Sequence, residues 1–207
     1  MAQHSGFPKG VAAFAGIYLL GFGGTAVVQR NGEFVFYLVV MLVLVGMVYG
    51  VHRRVGFSPL VLWLLAVWGL LHMAGGTVPI PMSVAETENE TAVLYSLRPW
   101  AWLPRYDQVT HAFGFFCATV ASGEALLAAT RPGRVGVGFA CASGLMGVGF
   151  GALNEVVEFI AVLTLPDTNV GGYVNTGWDL VSNTVGASLG ALVVASRGGG
   201  PSAGRAA

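Results

Sequence analysis

Charge is what this sequence has least of. Only 10% of its 207 residues are Asp, Glu, Lys or Arg, against about 25% in an average soluble domain. Another 55% are hydrophobic, and mean hydropathy is +0.70. So few charges cannot cover the surface of a water-soluble domain. Ten basic residues balance ten acidic ones and form no basic stripe, which argues against nucleic acid as a partner. Cysteine is scarce too. Cys117 and Cys141 lie inside apolar stretches without metal-ligand spacing, and they say nothing firm about redox compartment. Long polar linkers are also missing, so no spare chain is left for a separate water-soluble catalytic domain.

Long apolar segments and glycine are abundant. The pattern predicts an all-α, polytopic transmembrane bundle of about six helices. They run from about Val11 to Val28, Glu33 to Tyr49, Ser58 to Met73, Arg105 to Ala129, Val135 to Leu165 and Asn175 to Val194. The first is read as a retained helix, because Thr25-Ala26-Val27-Val28-Gln29-Arg30 lacks a small-x-small cleavage site. Residues 1–195 form one domain on this reading, and residues 196–207 form a disordered cytoplasmic tail. The stretch Thr77 to Leu103, with Pro79, Pro81 and Pro99, reads as a surface loop with a short interfacial helix around Glu90 to Leu97. Trp100 and Trp102 beside Arg105 suit an aromatic belt. Most of the 31 glycines sit inside the apolar stretches, where small residues let membrane helices approach closely.

Basic residues orient the bundle. With both termini cytoplasmic, the inner side collects Lys9, Arg53, Arg54, Arg131, Arg134, Arg197 and Arg205, and the outer side only Arg30, Arg98 and Arg105. The positive-inside rule favours that orientation.

Against this apolar background six residues stand out: Asp107, His111, Glu155, Glu158, Asp179 and Asn183. Ionisable groups in a membrane helix are costly to desolvate and face the bundle interior or a wet cavity. Asp107 and His111 are four apart, Glu155 and Glu158 three apart, and Asp179 and Asn183 four apart, so each pair shares a helix face. Small residues continue those faces: Gly114 and Ala118, then Gly144, Gly147 and Gly151, then Gly186 and Gly190. Counting from the helix ends puts all three pairs near the outer side, with the two glutamates ~10–15 Å from the end of their helix. His72 lies just before the outer end of the third helix.

Four carboxylates in a low-dielectric setting repel one another unless they share protons or a cation holds them together. A divalent ion bound by Asp107, His111, Glu155, Glu158 and Asp179 would resolve the conflict. Oxygen ligands suit Mg²⁺ or Mn²⁺, and the histidine admits Zn²⁺ or Fe²⁺. The Glu-x-x-His pair of carboxylate-bridged di-iron proteins is absent.

Three functional classes remain open. One is a membrane-embedded hydrolase or transferase acting on an amphiphilic substrate at the outer leaflet. Glu155 or Glu158 would be its general base, His111 the proton donor or a metal ligand, and Asp107, Asp179 and Asn183 would complete the site. The second is a small-solute or proton-coupled transporter with Glu124 as a further polar station, although Glu124 could instead approach Arg131 or Arg134. The third is a membrane scaffold whose cluster only fixes helix packing, with His111 bonded to a carboxylate and Asn154 or Asn183 linking helices. Membrane lipid is a partner on every reading, and the oligomeric state stays open.

The run Arg105-Tyr106-Asp107-x-x-x-His111, then Asn154-Glu155-x-x-Glu158, then Asp179-x-x-x-Asn183 with Gly186, resembles the bacterial YjdF-like inner-membrane family and, more distantly, the VanZ-like membrane proteins. The match includes His72-x-x-Gly75-Gly76, so it touches the last four helices. The resemblance implies a multi-pass bundle in the bacterial plasma membrane. Its VanZ-like side suggests lipid-linked or envelope substrates. Asn154-Glu155-x-x-Glu158 replaces the Glu-x-x-Gln pattern of the distant relatives, so their residue roles do not transfer directly.

Overall fold

The computed structural model describes residues 6–87, 92–132, 135–166 and 168–197. These form six α-helices: α1 (Lys9–Val28), α2 (Gly32–Val55), α3 (Pro59–Thr77), α4 (Tyr106–Thr130), α5 (Val137–Thr164) and α6 (Tyr173–Arg197). All six are long and apolar enough to cross a bilayer, whose hydrocarbon core is about 30 Å thick. Each begins and ends within a few residues of the sequence expectation, except that α2 continues six residues past Tyr49 to Val55. The proposed tail begins two residues inside α6, and its residues from 198 onward lie outside the described set.

Local chemistry sets the helix ends. The Asn31 side chain accepts from the Phe34 N–H and the Ser58 hydroxyl oxygen accepts from the Val61 N–H, so each satisfies an orphan donor of a first turn. Pro59 occupies the first turn of α3, where its missing N–H costs nothing. Gly56 ends α2 at φ 72°, in the left-handed region that glycine enters without strain.

Large apolar side chains point outward into lipid, among them Ile17, Leu20, Leu42, Val43, Leu145, Leu163, Val185 and Leu192. Inside, Tyr18, Phe34, Tyr37, Met41 and Met73 cluster among α1, α2 and α3, while Val61, Leu62 and Ala66 of α3 meet Val120 and Ala121 of α4. The closest approaches of one helix backbone to another lie between α6 and α4. A Cβ at Gly186 of α6 would strike the backbone carbonyl of Ala112 of α4, and Gly190 sits against Thr119 and the Phe116 carbonyl. Gly151 packs on Asn183, and Gly147 on Thr119. Gly114 differs from its expected place. It faces the Trp68 indole of α3 instead of the α6 seam.

Several hydroxyls of α6 face outward and are satisfied within the helix. Ser182 donates to the Trp178 carbonyl at 2.9 Å, Thr184 to Leu180 at 2.8 Å and Ser188 to Thr184 at 2.7 Å.

The α3–α4 connection is folded tightly. Pro79 pairs with Val93 and Ala85 with Leu97 in antiparallel bridges. Single 3₁₀ turns occupy Met82–Val84 and Leu94–Ser96. The second turn stands where the sequence pattern suggests a longer interfacial helix from Glu90. The Pro79–Val93 bridge takes Val93 into extended pairing and leaves one turn of helix. Glu90 itself lies outside the described residues. Arg98 braces the connection by donating to Glu86 at 2.5 Å, to the Leu103 carbonyl at 2.9 Å and to the Ala101 carbonyl at 2.6 Å. Trp100 and Trp102 stack with ring centres 6.1 Å apart and stay exposed, as interfacial rings do.

Candidate functional site

Three helices deliver their polar pairs to one place. Asp107 stands in the first turn of α4 with His111 one turn deeper. Asp179 and Asn183 lie on the inner face of α6, 0% and 1% exposed, and Glu155 of α5 is 9% exposed. The glycine seam makes this convergence possible, because Gly186 and Gly151 bring α6 against α4 and α5 just beyond the polar residues.

His111 is the hub. Its Nδ1 lies 3.0 Å from Asn183 Oδ1 and 3.5 Å from Glu155 Oε1. Its Nε2 lies 3.5 Å from Asp107 Oδ1 and 3.5 Å from Glu158 Oε1. Asn183 Nδ2 donates to Glu155 Oε1 at 3.0 Å, so one amide ties α6 to both α4 and α5. Asn154 instead stays within α5, donating to Glu158 Oε1 at 2.7 Å. Asn175 donates to Asp179 Oδ2 at 2.6 Å and accepts from Arg105 Nη1 at 2.5 Å. Asp107, His111, Glu155, Glu158 and Asn183 thus form one network, and Asp179 stands beside it with a ligand atom within 4.8 Å of those of Asp107 and His111.

The donor supply falls short of the acceptors. Both ring nitrogens of His111 face oxygens, an arrangement served by a doubly protonated ring, or by a cation taking the place of one hydrogen. Two buried carboxylate oxygens, Glu155 Oε2 and Asp179 Oδ1, have no hydrogen-bond partner among the described residues. An unsatisfied buried acceptor costs about 1–3 kcal/mol, and more when it is charged. Ligand atoms of Asp107, His111 and Asp179 fall within 4.8 Å of one another, and so do those of His111, Glu155 and Glu158. A buried His/Asp/Glu cluster of this kind can hold a metal ion.

Between this cluster and the α3–α4 connection lies a small cavity of about 20 Å³. Asp107 and Glu158 line it from the cluster side, and Glu33, Tyr37, His72, Tyr95, Asn169 and Asn175 complete the polar wall. The carboxylate of Glu33, buried at the start of α2, accepts from both the backbone N–H and the side chain of Asn169 at 2.8 Å. Tyr95 and His72 Nδ1 are 2.5 Å apart. Burial holds the Tyr95 phenol well above its usual pKa, and the nearby charges of Asp107 and Glu158 add to the effect, so the phenol keeps its proton. Sequence reading singled out neither Glu33 nor Tyr95, Asn169 or Asn175. Only their shared wall connects them, and Glu33 and Asn169 are 136 positions apart.

Glu124 has another role. It lies near the opposite end of α4 and accepts from the Ser58 N–H at 2.8 Å and the Ser58 hydroxyl at 2.7 Å, which caps α3. Its cationic neighbour is Arg197 of α6, at 3.2 Å. The sequence reading named Arg131 or Arg134 instead. Arg134 lies outside the described residues, and Arg197 reaches Glu124 because α6 packs along α4 for most of its length.

The family described as "Predicted membrane protein (DUF2238)" matches residues 11–198, spanning every helix. No curated protein and no solved structure matches the chain.

Proposed function

The chain belongs to the DUF2238 family of membrane proteins, and from that premise we propose a divalent-cation-dependent enzyme of the bacterial inner membrane. Its reaction is hydrolysis or group transfer on an amphiphilic, lipid-linked envelope substrate. One observation carries this reading: His111 is shared by two three-residue ligand sets, beside which Glu155 Oε2 and Asp179 Oδ1 are buried without hydrogen-bond partners among the described residues. Mg²⁺ or Mn²⁺ fits the carboxylate majority of the donors, and Zn²⁺ or Fe²⁺ would draw more on His111. The resemblance to YjdF-like and VanZ-like proteins supports an envelope setting. The seven-to-three distribution of basic residues supports cytoplasmic termini and hence a site open to the outer leaflet.

The chain's own residues supply proton transfer. Glu158 or Glu155 accepts a proton from water as the water oxygen bonds to the phosphorus or carbonyl carbon of the substrate. His111 gives a proton to the departing oxygen as its bond breaks. The carboxylate then returns its proton to His111, 3.5 Å away, which restores the starting state. A bound cation would polarise the substrate oxygen.

Transport is the competing reading, and it needs polar stations at more than one depth. Between Asn183 and Glu124 the interior is filled: Gly147 and Gly190 close on Thr119, whose hydroxyl donates to the Phe115 carbonyl at 2.8 Å. Glu124 is occupied as a helix cap. Both observations favour the enzyme.

Metal analysis of detergent-purified protein, prepared with Mn²⁺ present, tests the proposal. Wild type should retain a stoichiometric ion. Asp179→Asn and Glu155→Gln should each weaken binding at least about tenfold. Wild-type protein that folds but carries no metal would overturn the metal-dependent reading.

A further inference from the structure

The cavity in front of the cluster contains more than the proposed ligand set. Its volume of about 20 Å³ exceeds the roughly 10–15 Å³ that one water molecule requires. Three carboxylates line it, those of Glu33, Asp107 and Glu158, so any occupant meets a surplus of acceptors. Most donors in the wall are already engaged. Asn175 Nδ2 is bonded to Asp179 and Asn169 Nδ2 to Glu33. The Tyr95 hydroxyl lies against His72 Nδ1 and has no other acceptor among the described residues, so Tyr95 O–H donates and Nδ1 accepts. That fixes the neutral His72 ring with its hydrogen on Nε2. Trp68 stacks on the ring with centres 5.5 Å apart, and Tyr37 meets it edge-on at 5.6 Å.

The Asn175 amide also bonds Asp107, and among the described residues His72 Nε2 and the Tyr37 hydroxyl are wall groups with no hydrogen-bond partner of their own. On the acceptor side, His111 and Asn154 both use Glu158 Oε1, which leaves Oε2, and Asp107, bonded to His111 and Asn175, keeps further lone pairs on its two oxygens. Two donors and two acceptors around a space of this size match the tetrahedral needs of one molecule of water.

We propose that this cavity is a single-water site in which His72 Nε2–H and Tyr37 O–H donate to the water oxygen and the water donates to Asp107 and Glu158. Tyr95 is a positioning residue that fixes the His72 tautomer. The inference rests on the enzymatic reading for its role, because this water is the one beside Glu158, the proposed base. His72 thereby gains a function other than packing. Its N–H engages a lone pair of the water, which aims the water's protons at the carboxylates and holds the molecule where Glu158 can take one of them.

The test uses full-length protein labelled with ¹⁵N-histidine in nanodiscs. The ¹⁵N pattern of His72 should be that of a neutral ring protonated at Nε2, with a cross-relaxation signal from that proton to a long-lived water. Tyr95→Phe should mix the two tautomers, and Tyr37→Phe should weaken the water signal about fivefold through the lost hydrogen bond. A His72 ring protonated at Nδ1, or no water signal in wild type, overturns the proposal, and both readings need only the wild-type protein. The Mn²⁺ result is separate. Protein that holds the water but no metal removes the metal-dependent reaction and keeps this site, whereas protein that holds metal with a dry cavity does the reverse.

Discussion

Glycine lines helix contacts more in α4–α6 than in α1 and α2, where Gly23 meets Leu38 but most others face open space. Along α4, α5 and α6, Gly147, Gly151, Gly186 and Gly190 each stand where a neighbouring helix fills the space a side chain would take. In α1 and α2, Gly16, Gly21, Gly24, Gly46 and Gly50 have nothing nearby, and residues such as Leu20, Val39 and Leu42 turn outward. Lipid is as apolar as leucine, so burying apolar surface does little to drive membrane helices together. Close backbone approach and interhelical hydrogen bonds do that work, and both are concentrated in α4–α6 beside His111 and Asn183. The half that carries the polar cluster is thus also the half where helix backbones come closest.

The sharpest way to break this contrast is at its hub. His111→Leu leaves Asp107, Glu155 and Glu158 without their shared imidazole, and loss of one partner from a buried ionic group costs about 3–5 kcal/mol. Unfolding in mixed micelles should report a loss of that size, and an unchanged midpoint would mean the carboxylates do not depend on the ring. Next in size is Gly186→Ala. The added methyl meets the Ala112 backbone, which cannot rotate away, so the same assay should show a loss of about 2–3 kcal/mol. A neutral result there would mean α4 and α6 can separate freely. The smallest effect belongs to the other half. Gly46→Ala meets no neighbour and should be neutral or stabilise the helix by up to about 1 kcal/mol. A cost comparable to that at Gly186 would show that α2 has a close partner after all.

Spacing made much of this architecture legible in advance. The helices follow from unbroken apolar runs, and the three polar pairs were found from intervals of three and four residues. Antiparallel helices of similar length bring such pairs to one depth with little further information. The rest depends on how helices rotate and how connections fold, which local periodicity does not encode. Glu33 reads as an ordinary acidic residue in a first turn until Asn169 is seen against it. Tyr95 reads as one aromatic residue in a polar loop until the Pro79–Val93 pairing carries it onto His72. Glu124 looked like a second polar station because its cap on Ser58 joins residues 66 apart.

The outward hydroxyls of α6 bear on how that helix sits in lipid. Ser182, Thr184 and Ser188 are each already satisfied by the carbonyl four residues earlier, so none is left seeking an acceptor across the lipid. Such a surface meets the acyl chains as hydrocarbon, its hydroxyl dipoles answered within its own helix.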